Sequence, residues 1–213
     1  MSADILVSNR NEKFCQKSFL NYSERFATDN KINFLLGGSF AKGTATPFSD
    51  IDLYMFTGDK AALNKFIYGY GKPVYISQTI NPKGIIIVIY ENGIAVDLEI
   101  MKGEISISDY FSLKPQDYNT AEIDSEIADS IVICKDHLYS MSRLFHRSLI
   151  KYLSGKQEAG VSVLSEIADE LQLVYDHNKT YKQNYQRISD RFEQIYSLDE
   201  GYRTVLNNLA NQL

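Results

Sequence analysis

At 213 residues, 44% of them hydrophobic, the chain is globular and long enough to bury a real core in one domain or two small ones. Its net charge of −5, from 22 basic against 27 acidic residues, argues against a nucleic-acid polymer as partner. The start, MSADILVSNRNEK, has no basic stretch followed by an apolar one, and the longest apolar run, GIIIVIY at 84–90, is too short for a bilayer; the expectation is a cytoplasmic protein with no membrane partner. Cys15 and Cys134 have neither CxxC spacing nor nearby histidines, which favours buried reduced thiols over zinc ligands.

In chain order, Cys15, Phe19, Tyr22 and Phe26 form a helical stripe over residues 11–29. INFLL reads as a short buried strand. After the loop GGSFAKGTATPFS, the run DIDLYMF alternates, with Ile51, Leu53 and Met55 on one face and Asp50 and Asp52 on the other. A glycine-closed helix at AALNKFIYGYG precedes a strand at PVYISQTI, a turn at NPKG, a strand at IIIVIYE, a hairpin turn at Asn92-Gly93 and a strand at IAVDLEI. From Asp109 to Ser130 the pattern blurs around Pro115, and SIVIC reads as one more strand.

The last third carries four helical stripes: Leu138 to Leu153; Val163, Ile167, Leu171 and Val174; Tyr185, Ile188, Phe192 and Ile195; and Tyr202, Val205 and Leu209. Breaks are expected near Gly155, Asn178 and Gly201. These stripes read as core. The fold class is therefore α+β: a mixed sheet flanked by helices over residues 1–135, then a helical bundle over 136–213. The stripes close on each other or on a second copy in a homodimer; the sequence leaves both open.

Two carboxylates at i, i+2 on a strand point the same way, and their repulsion is relieved by a cation between them. Magnesium suits the pair, being hard, oxygen-seeking and commonly shared between one or two carboxylates and substrate phosphates. The preceding loop supplies groups for those phosphates: Gly37 and Gly38 admit close approach, Ser39 offers a hydroxyl and an N–H, and Lys42, Thr44 and Ser49 add a charge and further donors. Taken singly, a glycine-serine turn or a DxD pair is most often structural.

Together they carry more. An apolar strand, Gly-Gly-Ser, ten residues, then Asp-Ile-Asp-Leu opening a second strand resembles the signature of the DNA polymerase β-like nucleotidyltransferase superfamily, and GSFAKGTATPFSDIDL is similar to its small bacterial members. Lys42 stands where the commonest form has arginine, which keeps the charge but loses the bidentate fork. The resemblance covers residues 31 to about 100 and implies a third carboxylate on a later strand. In GIAVDLEIM, Asp97 matches that position, and Glu99 on the same face is open between a catalytic role and a solvated edge.

What the resemblance implies is an enzyme. Two Mg2+ ions at Asp50, Asp52 and Asp97 assist attack of an acceptor hydroxyl on the α-phosphorus of ATP or another nucleoside triphosphate, with transfer of a nucleoside monophosphate, expected to be AMP, and release of pyrophosphate. A helical bundle behind such a domain is similar to the aminoglycoside and lincosamide nucleotidyltransferases, in which a second domain or subunit closes over the antibiotic. The acidic run from Glu91 to Asp129, with only Lys102 and Lys114 as bases, fits a cationic small-molecule acceptor. The alternative is an antitoxin-like nucleotidyltransferase that binds or adenylylates a partner protein. No general base stands out: Glu166, Asp169 and Glu170 read as a solvated face, and His137, His146 and His177 as structural or exposed.

Overall fold

The structure, a computed structural model, describes residues 16–79, 84–103, 105, 109–115, 123–124, 126–127, 131 and 136–213. Cys15 and Cys134, the strand expected at SIVIC apart from Ile131, which is a buried turn residue, and the first three residues of the NPKG turn lie outside the described residues. The chain divides into two compact units, residues 1–133 and 134–213.

In the first unit, α1 (Lys17–Asn30) leads into β1 (Asn33–Leu36), a single helical turn α2 (Gly38–Ala41), β2 (Ile51–Phe56), α3 (Lys60–Tyr70), β3 (Pro73–Gln78), β4 (Ile86–Tyr90), β5 (Ala95–Met101) and β6 (Phe111–Leu113). The strands form one mixed sheet in the order β3-β4-β5-β2-β1-β6. β1 runs antiparallel to β2 and parallel to β6, while β2 and β5 run parallel at the centre. β6 falls in the stretch whose sequence pattern blurs; three residues are too few for a period to show.

Local chemistry sets the element ends. The Asp59 carboxylate accepts from the Ala61 amide at 2.8 Å to start α3. Lys31 enters the left-handed region at φ 55° to stop α1. At Asn92-Gly93 the chain folds back, Gly93 at φ 86°, so that β4 and β5 pair antiparallel.

Alternation then sorts the sheet into two faces. Ile51, Leu53 and Met55 of β2, Val96, Leu98 and Ile100 of β5 and Phe34 and Leu36 of β1 lie in the main core with residues of α1 and α3. Rings of α1, β1 and α3 interlock there: Phe66 has centroid distances of 5.9 Å to Phe19, 5.5 Å to Tyr22, 5.1 Å to Phe26 and 5.0 Å to Phe34. The Tyr22 and Tyr90 hydroxyls each donate to an α3 carbonyl, of Phe66 and Ile67, at 2.8 Å. The other face holds a smaller cluster of Leu35, Tyr54, Phe56 and Met101 and the carboxylates of β2 and β5.

The second unit is all helical among its described residues: α4 (His137–Leu153), α5 (Gln157–Glu170), α6 (Tyr181–Glu193) and α7 (Glu200–Ala210). Asp136, Thr180 and Asp199 cap α4, α6 and α7, with a full capping box between Thr180 and Gln183. Ser148 of α4 ties the unit together, donating to the Gly160 carbonyl at 2.8 Å and meeting the Tyr181 hydroxyl at 2.5 Å. Two residues expected in the stripes are not core: Val174 is 81% exposed and Ile195 48%. α5 ends at Glu170 and Gln172 turns left-handed at φ 57°, while α6 ends at Glu193, so both residues lie past the last helical turn and off its apolar face. The break expected near Gly201 precedes it, since Asp199 caps α7 and Gly201 sits in its first turn. No helix among the described residues is long and apolar enough to cross a membrane.

Phe66 is the test of the aromatic core. Phe66→Ala is expected to destabilise the protein by about 3–5 kcal/mol in urea unfolding, whereas a change under about 0.5 kcal/mol would be that of a surface site and would place the ring outside the core.

Candidate functional site

The parallel register of β2 and β5 sets Asp52 directly opposite Asp97, and two residues on, Tyr54 opposite Glu99. Residues opposed in register share a face, so this face carries two carboxylates side by side, then a phenol beside a third carboxylate. Asp50 directly precedes β2 and is half-buried, as are Asp52 and Asp97.

The β1–β2 connection brings the glycine-serine turn against Asp52. The Gly37 amide donates to the Asp52 carbonyl at 2.8 Å, extending the antiparallel ladder by one bond. Gly38 then sits at φ +55°, where a Cβ would lie 1.6 Å from Asp52 Oδ2. Position 38 is closed to any side chain by both backbone conformation and space. At Gly37 a Cβ would meet Tyr54 Cε2 at 2.6 Å, so the turn packs along the whole Asp52–Tyr54 edge.

Ser39 Oγ is buried, with no hydrogen-bond partner among the described residues. An orphaned buried hydroxyl costs about 1–3 kcal/mol, and such a group is accounted for when a ligand completes it. The loop beyond folds back through the Thr44 amide, which donates to the Ser39 carbonyl at 2.9 Å, leaving Lys42 and Thr44 exposed. Ser49 braces the loop itself: its Oγ accepts from the Thr46 amide at 2.9 Å.

Gln16 holds this loop from a distance in sequence. Its side chain is 4% exposed, and Nε2 lies 3.2, 3.0 and 3.0 Å from the carbonyls of Thr46, Pro47 and Ser49. The segment entering Asp50 is thereby fastened to the start of α1. No sequence pattern marks a lone glutamine for that role. Tyr54 was legible in principle, since it follows Asp52 by two on the same strand face.

Glu99 is 8% exposed, and its Oε2 has no hydrogen-bond partner among the described residues. A solvated edge does not describe it. Burial first, then the nearby charges of Glu99 and Asp52, push the Tyr54 hydroxyl well above the ordinary phenol range and keep it protonated. Of the other acids and histidines weighed from sequence, Glu166, Asp169 and Glu170 are exposed on α5, His137 pairs with Glu170 at 3.6 Å on the surface, His177 is exposed and His146 is buried.

Residues 20–105, from within α1 to just past β5, match the family model described as a nucleotidyltransferase domain. The first unit is an α+β fold, and the match within it contains every candidate site residue from Gly38 to Glu99. A search of curated proteins returns no match for this chain.

A divalent metal is the cofactor that a domain of the matched kind implies. Among the described residues, no three His, Cys, Asp or Glu side chains are grouped closely enough to cage an ion alone. Magnesium is usually held by one or two carboxylates with water and substrate phosphates completing the shell. Asp52 and Asp97 in register, with the orphaned Ser39 hydroxyl on the turn packed against Asp52, match that mixed donor set.

Two substitutions separate packing from binding. Gly38→Ala should displace the Asp52 carboxylate and lower the melting temperature, the positive φ alone costing about 1 kcal/mol; unchanged melting and unchanged nucleotide binding would contradict the close approach. Ser39→Ala should leave stability unchanged or raise it, since the hydroxyl has no partner to lose, yet raise the nucleotide KM with little effect on the acceptor KM. A clear loss of stability would make Ser39 a structural turn residue.

Proposed function

We propose that the protein transfers a nucleoside monophosphate, AMP as the first expectation, from a nucleoside triphosphate to a hydroxyl of a small, amine-bearing molecule. The observation that carries the reading is the in-register pair Asp52 and Asp97 with Gly38 packed against Asp52, inside the segment matching a nucleotidyltransferase domain.

The acceptor oxygen bonds to the α-phosphorus as the bond from that phosphorus to the bridging pyrophosphate oxygen breaks. Pyrophosphate leaves, and the hydroxyl proton passes to solvent. Bound magnesium would neutralise developing phosphate charge and lower the pKa of the attacking hydroxyl, with Asp50, Asp52 and Asp97 as its holders. The chain's own contribution is placement. The Gly37–Ser39 turn lets phosphate oxygens reach backbone and hydroxyl donors, and Gln16 fixes the approach of Asp50 by holding the loop ahead of it.

Net charge supports a cationic acceptor. Glu91, Asp109 and Glu126 are exposed within the acidic stretch and set a negative local field. Aminoglycosides and lincosamides carry hydroxyls and protonated amines and are the first panel to try.

The test follows pyrophosphate release with magnesium, each nucleoside triphosphate in turn, and that panel. Release is expected with at least one acceptor, lost on chelation, and lowered at least about 100-fold by Asp52→Asn, because a neutral amide is a poor substitute for an anionic magnesium ligand. Near wild-type turnover by Asp52→Asn would defeat the site assignment. Triphosphate binding with silence across the panel would defeat the small-molecule acceptor and turn the search to a protein hydroxyl.

A further inference from the structure

β6 lies parallel to β1 with Leu113 opposite Leu36, and the Lys114 amide donates to the Leu36 carbonyl at 2.9 Å. Lys114 therefore leaves the carboxyl end of β6 alongside Gly37, where the turn toward Asp52 begins. Leu35 shares its face with Tyr54, and two residues further along each strand, Gly37 and Lys114 return to that face. The side chain completes the placement: Lys114 Nζ stands 4.0 Å from the centroid of the Tyr54 ring.

That ring is held on two sides. Its edge abuts Gly37 at a spacing that leaves no room for a Cβ, and it stands opposite the buried Glu99 of the neighbouring strand. A cation over a fixed aromatic face is attracted by the ring quadrupole, so Tyr54 is a pedestal that carries the ammonium at the carboxyl end of β1 and β6. Asp50, Asp52, Asp97 and Glu99 make this end strongly negative, and a triphosphate adds further negative charge, so a fixed cation next to the glycine turn answers a definite electrostatic need. A lysine ammonium is a compact point charge suited to phosphate oxygens.

We propose that Lys114, seated on Tyr54, receives the polyphosphate of the incoming nucleotide, with Glu99 as the positioning residue that fixes Tyr54. The inference rests on the nucleotide-transfer reading and deepens it. It adds a residue that the matched segment does not contain, because the match ends at residue 105.

The test uses the full chain and its Lys114→Met, Lys114→Arg and Glu99→Ala variants. Each is titrated at fixed magnesium with a fluorescent non-hydrolysable ATP analogue and, separately, with the matching fluorescent nucleoside; melting temperatures are recorded without nucleotide. Lys114→Met is expected to bind the triphosphate about tenfold or more weakly, from the loss of one charge-assisted contact. Its nucleoside affinity should hold within about twofold, and its triphosphate binding should depend less steeply on salt. Lys114→Arg should recover most of the affinity by restoring charge. Glu99→Ala should weaken triphosphate binding in the same selective way, to a smaller degree. Equal triphosphate affinity of Lys114→Met and wild type overturns this inference and leaves nucleotide transfer standing. Triphosphate and nucleoside affinities falling together, with a lowered melting temperature, also overturn it in favour of a packing role. A wild-type protein that binds no triphosphate overturns both.

Discussion

The register between β2 and β5 is the constraint on which the site depends. These strands run parallel at the centre of the sheet, and their pairing aligns Ile51 with Val96, Leu53 with Leu98 and Met55 with Ile100 in the core, leaving Asp52 beside Asp97 on the other face. A one-residue slip of either strand would drive carboxylates into the core and apolar side chains out of it. Burial of six apolar side chains thus sets the neighbour relation of the two aspartates, and the repulsion it imposes between them is stabilised by the packing behind. A cation bound on that face would meet a preformed pair, so little reorganisation would be required.

The glycine turn extends the same constraint. Because β1 is antiparallel to β2, its end at Leu36 delivers Gly37 and Gly38 to the beginning of β2, where Asp52 sits. The loop between them has to bridge this short gap with twelve or so residues, and it is held by internal bonds at Thr44, Thr46 and Ser49 and by the Gln16 clamp. The close approach of a carboxylate to a left-handed glycine and an orphaned serine hydroxyl stand within a few residues of each other. Local violations of packing and hydrogen-bonding rules concentrate where function requires them.

Tyr54 and Glu99 show how a second step along the same strands supports the first. Two residues beyond the aspartates, burial rises, and a phenol kept protonated by its surroundings stands opposite a buried carboxylate. Glu99 opposite it and Gly37 against its edge confine the Tyr54 ring. Packing on the carboxylate face is therefore coupled to the shape of the turn.

The sequence by itself determined the α+β class, the strand alternation that separates Ile51, Leu53 and Met55 from Asp52, the Asn92-Gly93 hairpin and the conjunction of a Gly-Gly-Ser turn with Asp50 and Asp52. Those features are local: a period of two along a strand, a dipeptide that accepts positive φ, a short spacing between turn and strand. The helical stripes were legible for the same reason, and failed at Val174 and Ile195 because periodicity continues on paper past the point where the backbone turns. Only the tertiary structure decided that Asp97 lies opposite Asp52, that Gln16 holds the loop before Asp50, that Glu99 is buried under Tyr54, and that three residues near Pro115 add a sixth strand bringing Lys114 to Gly37. Each of these joins residues about 30 or more positions apart, and pairing at such separations is selected by the burial energy of the whole sheet, which no local window of sequence contains.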